Sequence, residues 1–110
     1  MTKPTDNIEQ AGKFQWFYRE SEPLSSTSDR LPVVLLHGIV SQSYSWRNTL
    51  PPLAEQGFRT IAPDWLGTGY SEKPDLLDFS YQPDALVQEL CCFLNPANRG
   101  SPDFAVNIVS

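Results

Sequence analysis

The chain of 110 residues is long enough for one small domain and too short for two. It carries 13 acidic and 8 basic side chains, so its net charge of −5 gives it no electrostatic attraction to nucleic acid or to an anionic membrane. No apolar run approaches the roughly 18–20 residues of a membrane span, and the polar residues 1–12 lack the features of a signal or transit peptide. These features predict a cytoplasmic protein that binds neither nucleic acid nor membrane.

The N-terminal part of the chain changes character at residue 13. Residues 1–12 hold few non-polar side chains, so we expect a loose lead-in there. Aromatic and polar side chains then alternate over residues 13–19, which predicts a strand. Phe17 interrupts the alternation, which indicates that this strand is covered on both faces. The Ser-rich residues 21–30 are typical of a loop.

The middle of the chain alternates short apolar runs with helical patterns. Val33–Leu36 is a continuous and largely β-branched run, as in a strand buried within a parallel sheet. Residues 59–62 predict a second such strand. Between the two runs, residues 44–56 predict a helix in two pieces, because Pro51 and Pro52 must break or restart it.

The most regular helix is predicted over Pro83–Leu94. Pro83 suits the first helical position, and Asp84 suits the positive N-terminal end of the helix. The apolar side of this helix is expected to consist of Leu86, Val87, Leu90, Cys91, Phe93 and Leu94.

The cysteines and the C-terminal residues bear on cross-links, metal sites and the fold class. The adjacent Cys91 and Cys92 cannot cross-link distant parts of the chain, and with a single histidine they make a poor metal set. We therefore expect no disulfide scaffold, no metal and no cofactor. Residues 104–109 suggest one more short strand. The alternation of strands and helices with short connections predicts an α/β fold, a mostly parallel sheet with flanking helices.

Two residue clusters follow the predicted buried strands. In the first, an apolar strand runs into His37-Gly38. The second has the spacing Asp-x-x-Gly-x-Gly-x-Ser-x-x-Pro, formed by Asp64, Gly67, Gly69, Ser71 and Pro74. Its glycines begin like a dinucleotide-binding fingerprint, but Glu72 occupies the position of the third glycine, so we reject a nucleotide site.

Together with Ser45-Trp46-Arg47 between them, these clusters resemble the N-terminal portion of α/β-hydrolase-fold proteins. The resemblance spans residues 14–94 and is nearest to the haloalkane dehalogenases, epoxide hydrolases and small esterases. It implies a hydrolase of a small ester-like or related substrate. Dehalogenases commonly carry Asn-Pro directly after His-Gly, and epoxide hydrolases often have Phe-Pro. Because this chain has Ile39-Val40 there, halide binding is not expected.

The resemblance also assigns site residues. An oxyanion-side loop is implied at His37, Gly38, Ile39 and Val40, where the backbone amide of Ile39 would donate to the oxyanion and His37 would orient the loop. His37-Gly38 by itself would also suit a plain turn at the end of a strand. Trp65 is expected to line a pocket or to pack within its own loop. A structural turn is expected to be held by Asp64, Gly67, Gly69 and Ser71.

No catalytic triad can be read in these 110 residues. Ser-His-Asp chemistry needs a nucleophile, a base that touches it and a group that orients the base, and the family presents them in the order nucleophile, acid, histidine. The single histidine, His37, precedes all of these positions. Ser71 does not lie in a G-x-S-x-G elbow, because Lys73 stands where the last glycine should be. The nucleophile type (Ser, Asp or Cys) is therefore open.

The length and the motifs together predict an incomplete domain. We expect residues 13–94 to form the N-terminal part of an α/β-hydrolase domain and residues 95–110 to be a divergent or truncated tail. Two functions stay open: a hydrolase fragment that is inactive alone, or a non-catalytic truncated product that acts as a binding module or has no function. Missing strands would leave a sheet edge open, which predicts marginal stability and self-association.

Overall fold

The structure is a computed structural model that describes residues 4–23, 32–38, 41–94 and 107–109. Its strands are β1 (Thr5–Ala11), β2 (Phe14–Ser21), β3 (Val33–Leu35), β4 (Thr60–Pro63) and β5 (Asn107–Val109). Its helices are a short 3₁₀ helix (Ser43–Trp46), α1 (Leu50–Glu55) and α2 (Pro83–Phe93). The five strands form one sheet in the spatial order β1-β2-β4-β3-β5.

The expectation of a loose lead-in is wrong for residues 5–11, which form β1. This strand pairs antiparallel with β2 through the two-residue turn Gly12-Lys13. Gly12 has a φ of 65°, a left-handed conformation that glycine adopts without strain and that tight hairpin turns require. A polar strand is stable here because β1 lies at the end of the sheet with much of its surface in water.

The rest of the sheet is mixed in direction. β2 pairs antiparallel with β4, whereas β3 pairs parallel with both β4 and β5. The predicted strands at residues 33–36 and 59–62 are confirmed to within one residue, and β5 confirms a strand in the C-terminal part of the chain. The strand covered on both faces is also confirmed, because Trp16, Phe17 and Tyr18 are all buried.

The helices follow the predicted boundaries closely. The segment between β3 and β4 is helical in two pieces, and α1 restarts immediately before Pro51. In α2, Pro83 occupies the first turn as expected. The apolar side of α2 is narrower than predicted, because Val87 and Cys91 are exposed. The buried residues of α2 are Leu90 and Phe93, which are three positions apart and lie on one face of the helix.

Each face of the sheet carries its own core. On the α2 face, the Trp16 ring stacks on Phe93, with ring centroids 5.0 Å apart. On the α1 face, Leu35, Leu50 and Ala62 pack together. Val34 packs in the core on the α2 face, whereas its neighbour Leu35 packs in the core on the α1 face. This alternation is what the geometry of a strand requires.

Neither a membrane-spanning helix nor a metal-binding cluster occurs among the described residues. No described helix has the length and hydropathy that crossing a membrane requires. Within the same residues, no cluster of histidine, cysteine, aspartate and glutamate has the makings of a metal site.

Candidate functional site

The residues of both sequence clusters meet where β3 and β4 end. In open α/β sheets, the crevice at the carboxyl ends of the strands is where ligands bind. A cavity of about 310 Å³ lies there. Its described wall consists of His37, Gly38, Trp65, Leu66, Gly67, Thr68, Tyr81 and Leu86.

His37 links the two loops that follow β3 and β4. It is buried, and its Nε2 accepts a hydrogen bond of 3.1 Å from the backbone N–H of Trp65. Its Nδ1 lies 2.7 Å from the carbonyl oxygen of Gly38. Because Nε2 must accept and Nδ1 faces an acceptor, the hydrogen-bond network assigns the neutral tautomer with the proton on Nδ1. Both ring nitrogens are thus committed to backbone groups.

Thr68 shapes the loop that carries Trp65. Its hydroxyl donates to the carbonyl of Trp65 at 2.7 Å and lies 3.2 Å from Nε2 of His37. Because the single hydroxyl proton goes to Trp65, the bond from the N–H of Trp65 to His37 is what joins the loop after β4 to the loop after β3. Both loops contribute to the cavity wall.

Asp64 organises the turn at the end of β4. Its side chain is fully buried, and the carboxylate accepts two backbone bonds, from the N–H of Ser43 at 2.6 Å and from the N–H of Tyr70 at 3.0 Å. Bonds from N–H groups to a carboxylate are stronger than neutral ones and offset the cost of burying its charge. Asp64 therefore fastens both the 3₁₀ helix and the glycine turn to the sheet.

The hydroxyl of Ser71 is likewise occupied. It donates to the carbonyl of Asp64 at 2.6 Å and accepts from the backbone N–H of Phe17 at 2.9 Å. The next residue, Glu72, donates its N–H to the carbonyl of Gln15 and accepts the N–H of Gln15 on its carboxylate. The loop after β4 is thus bound along β2, and Ser71 is a buried structural hydroxyl in this arrangement.

The glycines of the turn are placed where side chains do not fit. Gly69 has a φ of 53°, and a Cβ there would collide with the carboxylate of Asp64. Gly67 has a φ of 86°, and a Cβ there would lie 2.6 Å from the ring of Tyr81. The turn therefore needs glycine for both its backbone conformation and its packing.

Gly69→Ala is expected to lower the free energy of unfolding by about 1 to 3 kcal/mol, because the left-handed backbone and the collision with Asp64 add together. Gly38→Ala is the matched control. Among the described residues, no atom lies within 4 Å of a Cβ built at Gly38, so its effect should stay within about 0.5 kcal/mol. Urea unfolding of both variants measures the difference, and equal effects would contradict this account of the turn.

The cavity wall is mainly apolar. Its aromatic part consists of Tyr81 and of Trp65, whose ring lies 6.3 Å from that of the buried Trp16. Its aliphatic part includes Leu66 and Leu86. None of the described residues in the wall carries a charged side chain. Such a surface suits a small uncharged molecule.

Tyr81 closes the side of the cavity next to α2. It has a φ of 60°, which is uncommon for a residue other than glycine, and its hydroxyl donates to the carbonyl of Pro74 at 2.5 Å. Burial raises the pKa of Tyr81 above its ordinary value, and the negative charges of Asp75 and Glu72 raise it further. The neutral phenol is thus the form that the folded chain favours.

This shift predicts a loss of stability in alkali. Because the pKa of Tyr81 is higher in the folded chain than in the unfolded chain, its contribution is complete below about pH 10 and is lost as the pH rises beyond that value. Urea unfolding at increasing alkaline pH should show a smaller loss for Tyr81→Phe than for the natural chain. An identical pH dependence of both proteins would contradict this role.

The structure locates most of the residues that the sequence singled out. His37, Gly38 and Trp65 lie together in the cavity wall. Ile39 and Val40, to which the sequence also assigns the oxyanion-side loop, lie outside the described residues. The sequence reasoning missed Thr68 and Tyr81. The position of Thr68 between two glycines is a local signal for a turn, but its contact with a histidine 31 positions earlier has no local signal.

The chain is similar in sequence to known hydrolases. The model of the alpha/beta hydrolase fold family matches residues 32–102. A haloalkane dehalogenase of Mycobacterium marinum is 47% identical over 55 residues, which are 49% of this chain and 18% of that protein. A soluble epoxide hydrolase of a Corynebacterium species is 60% identical over 43 residues, 39% of this chain and 15% of that protein.

Solved structures of full-size enzymes superpose on most of the chain. An epoxide hydrolase of Vigna radiata superposes with a TM-score of 0.70 at 27% identity. The superposition covers 86% of this chain and 29% of the enzyme. A haloalkane dehalogenase variant from Bradyrhizobium elkanii has a TM-score of 0.72 at 30% identity, with coverages of 86% and 29%. The chain thus spans less than a third of each of these enzymes. Since the family model matches more than half of its residues, the chain belongs to the alpha/beta hydrolase fold family.

Proposed function

We propose that these residues supply the oxyanion-side part of a hydrolase site for a small ester-like or related substrate. The observation that carries the proposal is the position of His37, which holds the loop after β3 beside an apolar cavity with both ring nitrogens bound. The names of the relatives, haloalkane dehalogenase and epoxide hydrolase, agree with small uncharged substrates. The predicted cytoplasmic location stays a prediction.

In this proposal each residue of the loop has a separate task. The backbone N–H of Ile39, directly after the β3 turn, donates to the negative oxygen that forms in the transition state. One such donor is worth about 2.7–4 kcal/mol to an acyl-transfer transition state. His37 is a positioning residue, since it holds the loop rather than touches the reacting atoms. Thr68 acts through Trp65, because it fixes the turn that presents the N–H of Trp65 to His37. Trp65 supports the apolar part of the substrate.

The 110 residues by themselves are not expected to turn over substrate. His37 cannot take a proton from a nucleophile at Nε2 without losing the N–H of Trp65. The hydroxyl of Ser71 is buried, bound at both its donor and acceptor positions, and lies outside any nucleophile elbow. A second candidate function, small-molecule binding without catalysis, is favoured by the apolar cavity.

Both functions predict that a small ester enters the cavity. Titration of the ¹⁵N-labelled chain with phenyl acetate should shift the amide signals of Gly38, Ile39 and Trp65. Leu86→Trp, which fills the cavity, should abolish these shifts, whereas Val87→Trp on the exposed side of α2 is the matched control and should preserve them. Shifts that survive Leu86→Trp would contradict the placement of the site.

The same samples test the expected lack of turnover. We expect hydrolysis of p-nitrophenyl acetate to stay at the background rate for the natural chain and for Ser71→Ala. Turnover that is lost in Ser71→Ala but survives His37→Ala would overturn both assignments, because it would make the buried serine a nucleophile and leave His37 without a role.

A further inference from the structure

The described residues include two groups of exposed large apolar side chains. The first group lies around β1 and β2 and consists of Ile8, Tyr44 and Tyr70. The second group lies in the turn before α2 and consists of Leu76 and Leu77, whereas Val87 is exposed by itself on α2. The proposed hydrolase site uses neither group. Isolated exposed apolar side chains are ordinary, whereas contiguous ones mark interaction surfaces.

The exposed residues of the first group are linked through the buried Phe17 and the largely buried Arg19. Together with Arg47 they are named here the aromatic–arginine surface, which consists of Ile8, Phe17, Arg19, Tyr44, Arg47 and Tyr70. Ile8 is paired directly with Phe17 across the β1–β2 ladder, so both side chains lie on one face of the hairpin. The ring of Tyr70 packs 5.1 Å from that of Phe17 while remaining 70% exposed.

Two guanidinium groups extend the aromatic–arginine surface. The guanidinium carbon of Arg19 lies 5.2 Å from the ring centroid of Phe17 and 5.3 Å from that of Tyr44. The guanidinium carbon of Arg47 lies 4.1 Å from the ring centroid of Tyr44. Arg19 is neutralised by Asp6 at 2.9 Å. Within the described part of the chain, no carboxylate forms an ion pair with Arg47. The aromatic–arginine surface therefore presents one uncompensated positive charge on an acidic protein.

The second group forms the dileucine turn, residues 75–78, with the sequence Asp-Leu-Leu-Asp. Leu76 is 79% and Leu77 is 98% exposed, with a carboxylate on either side. The turn is held in shape, because the carbonyl of Asp75 accepts the N–H groups of Asp78 and of the buried Phe79. A preorganised apolar projection loses little conformational entropy when it docks.

We propose that the dileucine turn of one copy of the chain docks on the aromatic–arginine surface of a second copy. The leucines would cover Ile8 and Tyr70, and a flanking carboxylate would pair with Arg47. Tyrosine and arginine are the residue types that most often dominate protein interfaces. A second copy is the occupant that fits, because the chain itself displays the apolar and acidic segment that complements the aromatic and basic patch.

The two sides of this contact are different surfaces, so it is a heterologous contact. Each assembly keeps an unoccupied aromatic–arginine surface at one end and an unoccupied dileucine turn at the other. Further copies can therefore add until the assembly closes into a ring or grows as an open chain. Pairing through the end strands β1 and β5, which the open sheet edge predicts, would not depend on the leucines. The two modes of association therefore differ in which variants abolish them.

Sedimentation equilibrium of the full chain at increasing concentration tests the proposal. The natural chain should associate beyond the dimer. The turn variant Leu76→Ser with Leu77→Ser and the surface variant Ile8→Ser with Tyr70→Ser should each be monomeric. An equimolar mixture of the two variants should form a 1:1 dimer and nothing larger, since only one productive contact remains. Val87→Ser, which alters an exposed apolar residue outside both surfaces, should associate like the natural chain.

A charge variant provides a second test of the same contact, because its effect on association does not depend on apolar packing. Arg47→Glu should weaken association about tenfold or more, and Asp75→Lys with Asp78→Lys in the partner copy should restore it. Circular dichroism identifies any variant that fails to fold, and the charge variants then decide the outcome. A monomeric natural chain would overturn the proposal. So would association of the turn variant at the natural strength, which would indicate pairing through the sheet edge, or a mixture of the two variants that stays monomeric.

Discussion

Asp64→Ala is expected to lower the free energy of unfolding by about 3 to 5 kcal/mol, one of the largest effects of any single substitution in the chain. The change leaves the buried N–H group of Ser43 and the part-buried N–H group of Tyr70 without this acceptor. Each unsatisfied buried group costs about 1–3 kcal/mol, and the space of the lost carboxylate adds to this. Urea unfolding monitored by circular dichroism measures the loss.

Two further variants separate this role from a general effect of removing charge. Asp64→Asn should not rescue stability, because an amide has a single acceptor oxygen and would turn its NH₂ group toward one of the two N–H donors. Asp78→Ala removes an exposed aspartate and should change stability by less than about 0.5 kcal/mol. Full stability of Asp64→Asn would show that the carboxylate does not hold both segments.

Trp16→Ala is expected to cost about 3 to 5 kcal/mol, because Trp16 is fully buried and joins β2 to α2 through its stack on Phe93. The substitution also removes the support behind Trp65, so the cavity wall should loosen. Thermal unfolding and the near-ultraviolet circular dichroism of the remaining tryptophans report the two effects.

Trp16→Phe is the informative comparison. The Nε1 atom of Trp16 has no hydrogen-bond partner among the described residues, so replacing indole by phenyl removes apolar area but breaks no bond. We expect a loss of less than about 1.5 kcal/mol for this variant. A loss as large as that of Trp16→Ala would mean that the indole N–H makes a bond essential to the fold.

The sequence predicted the interior of the fold well because the interior is encoded locally. The run at residues 33–36 has the composition of a strand buried on both faces, and Pro83 marks the start of α2 at its first residue. These signals depend on neighbouring residues alone. The same is true of the spacing Asp64, Gly67, Gly69 and Ser71, whose members all take part in one turn.

The edge of the sheet was harder to predict. Residues 5–11 are mostly Asp, Asn, Glu, Gln and Thr, and most of these have low strand propensity. They form β1 because β2 offers a free edge seven residues long and Gly12 closes the hairpin. The available signal was Gly12-Lys13 directly before an alternating aromatic run, since a glycine-initiated two-residue turn is typical of hairpins.

The cavity was predictable only in part. The sequence assigned His37 and Gly38 to one loop and expected Trp65 to line a pocket or to pack within its own loop, whereas the structure brings all three into one cavity wall. The contacts of Thr68 and Tyr81 arise from tertiary packing between segments far apart in sequence. The left-handed backbone of Tyr81 also has no local signal, because a tyrosine rarely adopts it.

We propose that His37 holds the oxyanion-side loop and does not act as a base, and the state of its imidazole ring tests this proposal most directly. Because the chain has one histidine, a long-range ¹H–¹⁵N correlation spectrum of its imidazole is free of overlap. We expect a neutral ring with the proton on Nδ1 and a hydrogen-bonded acceptor at Nε2. Thr68→Val should shift the Nε2 signal, because the hydroxyl of Thr68 lies 3.2 Å from that atom. A proton on Nε2, or a ring signal that Thr68→Val leaves unchanged, would contradict it.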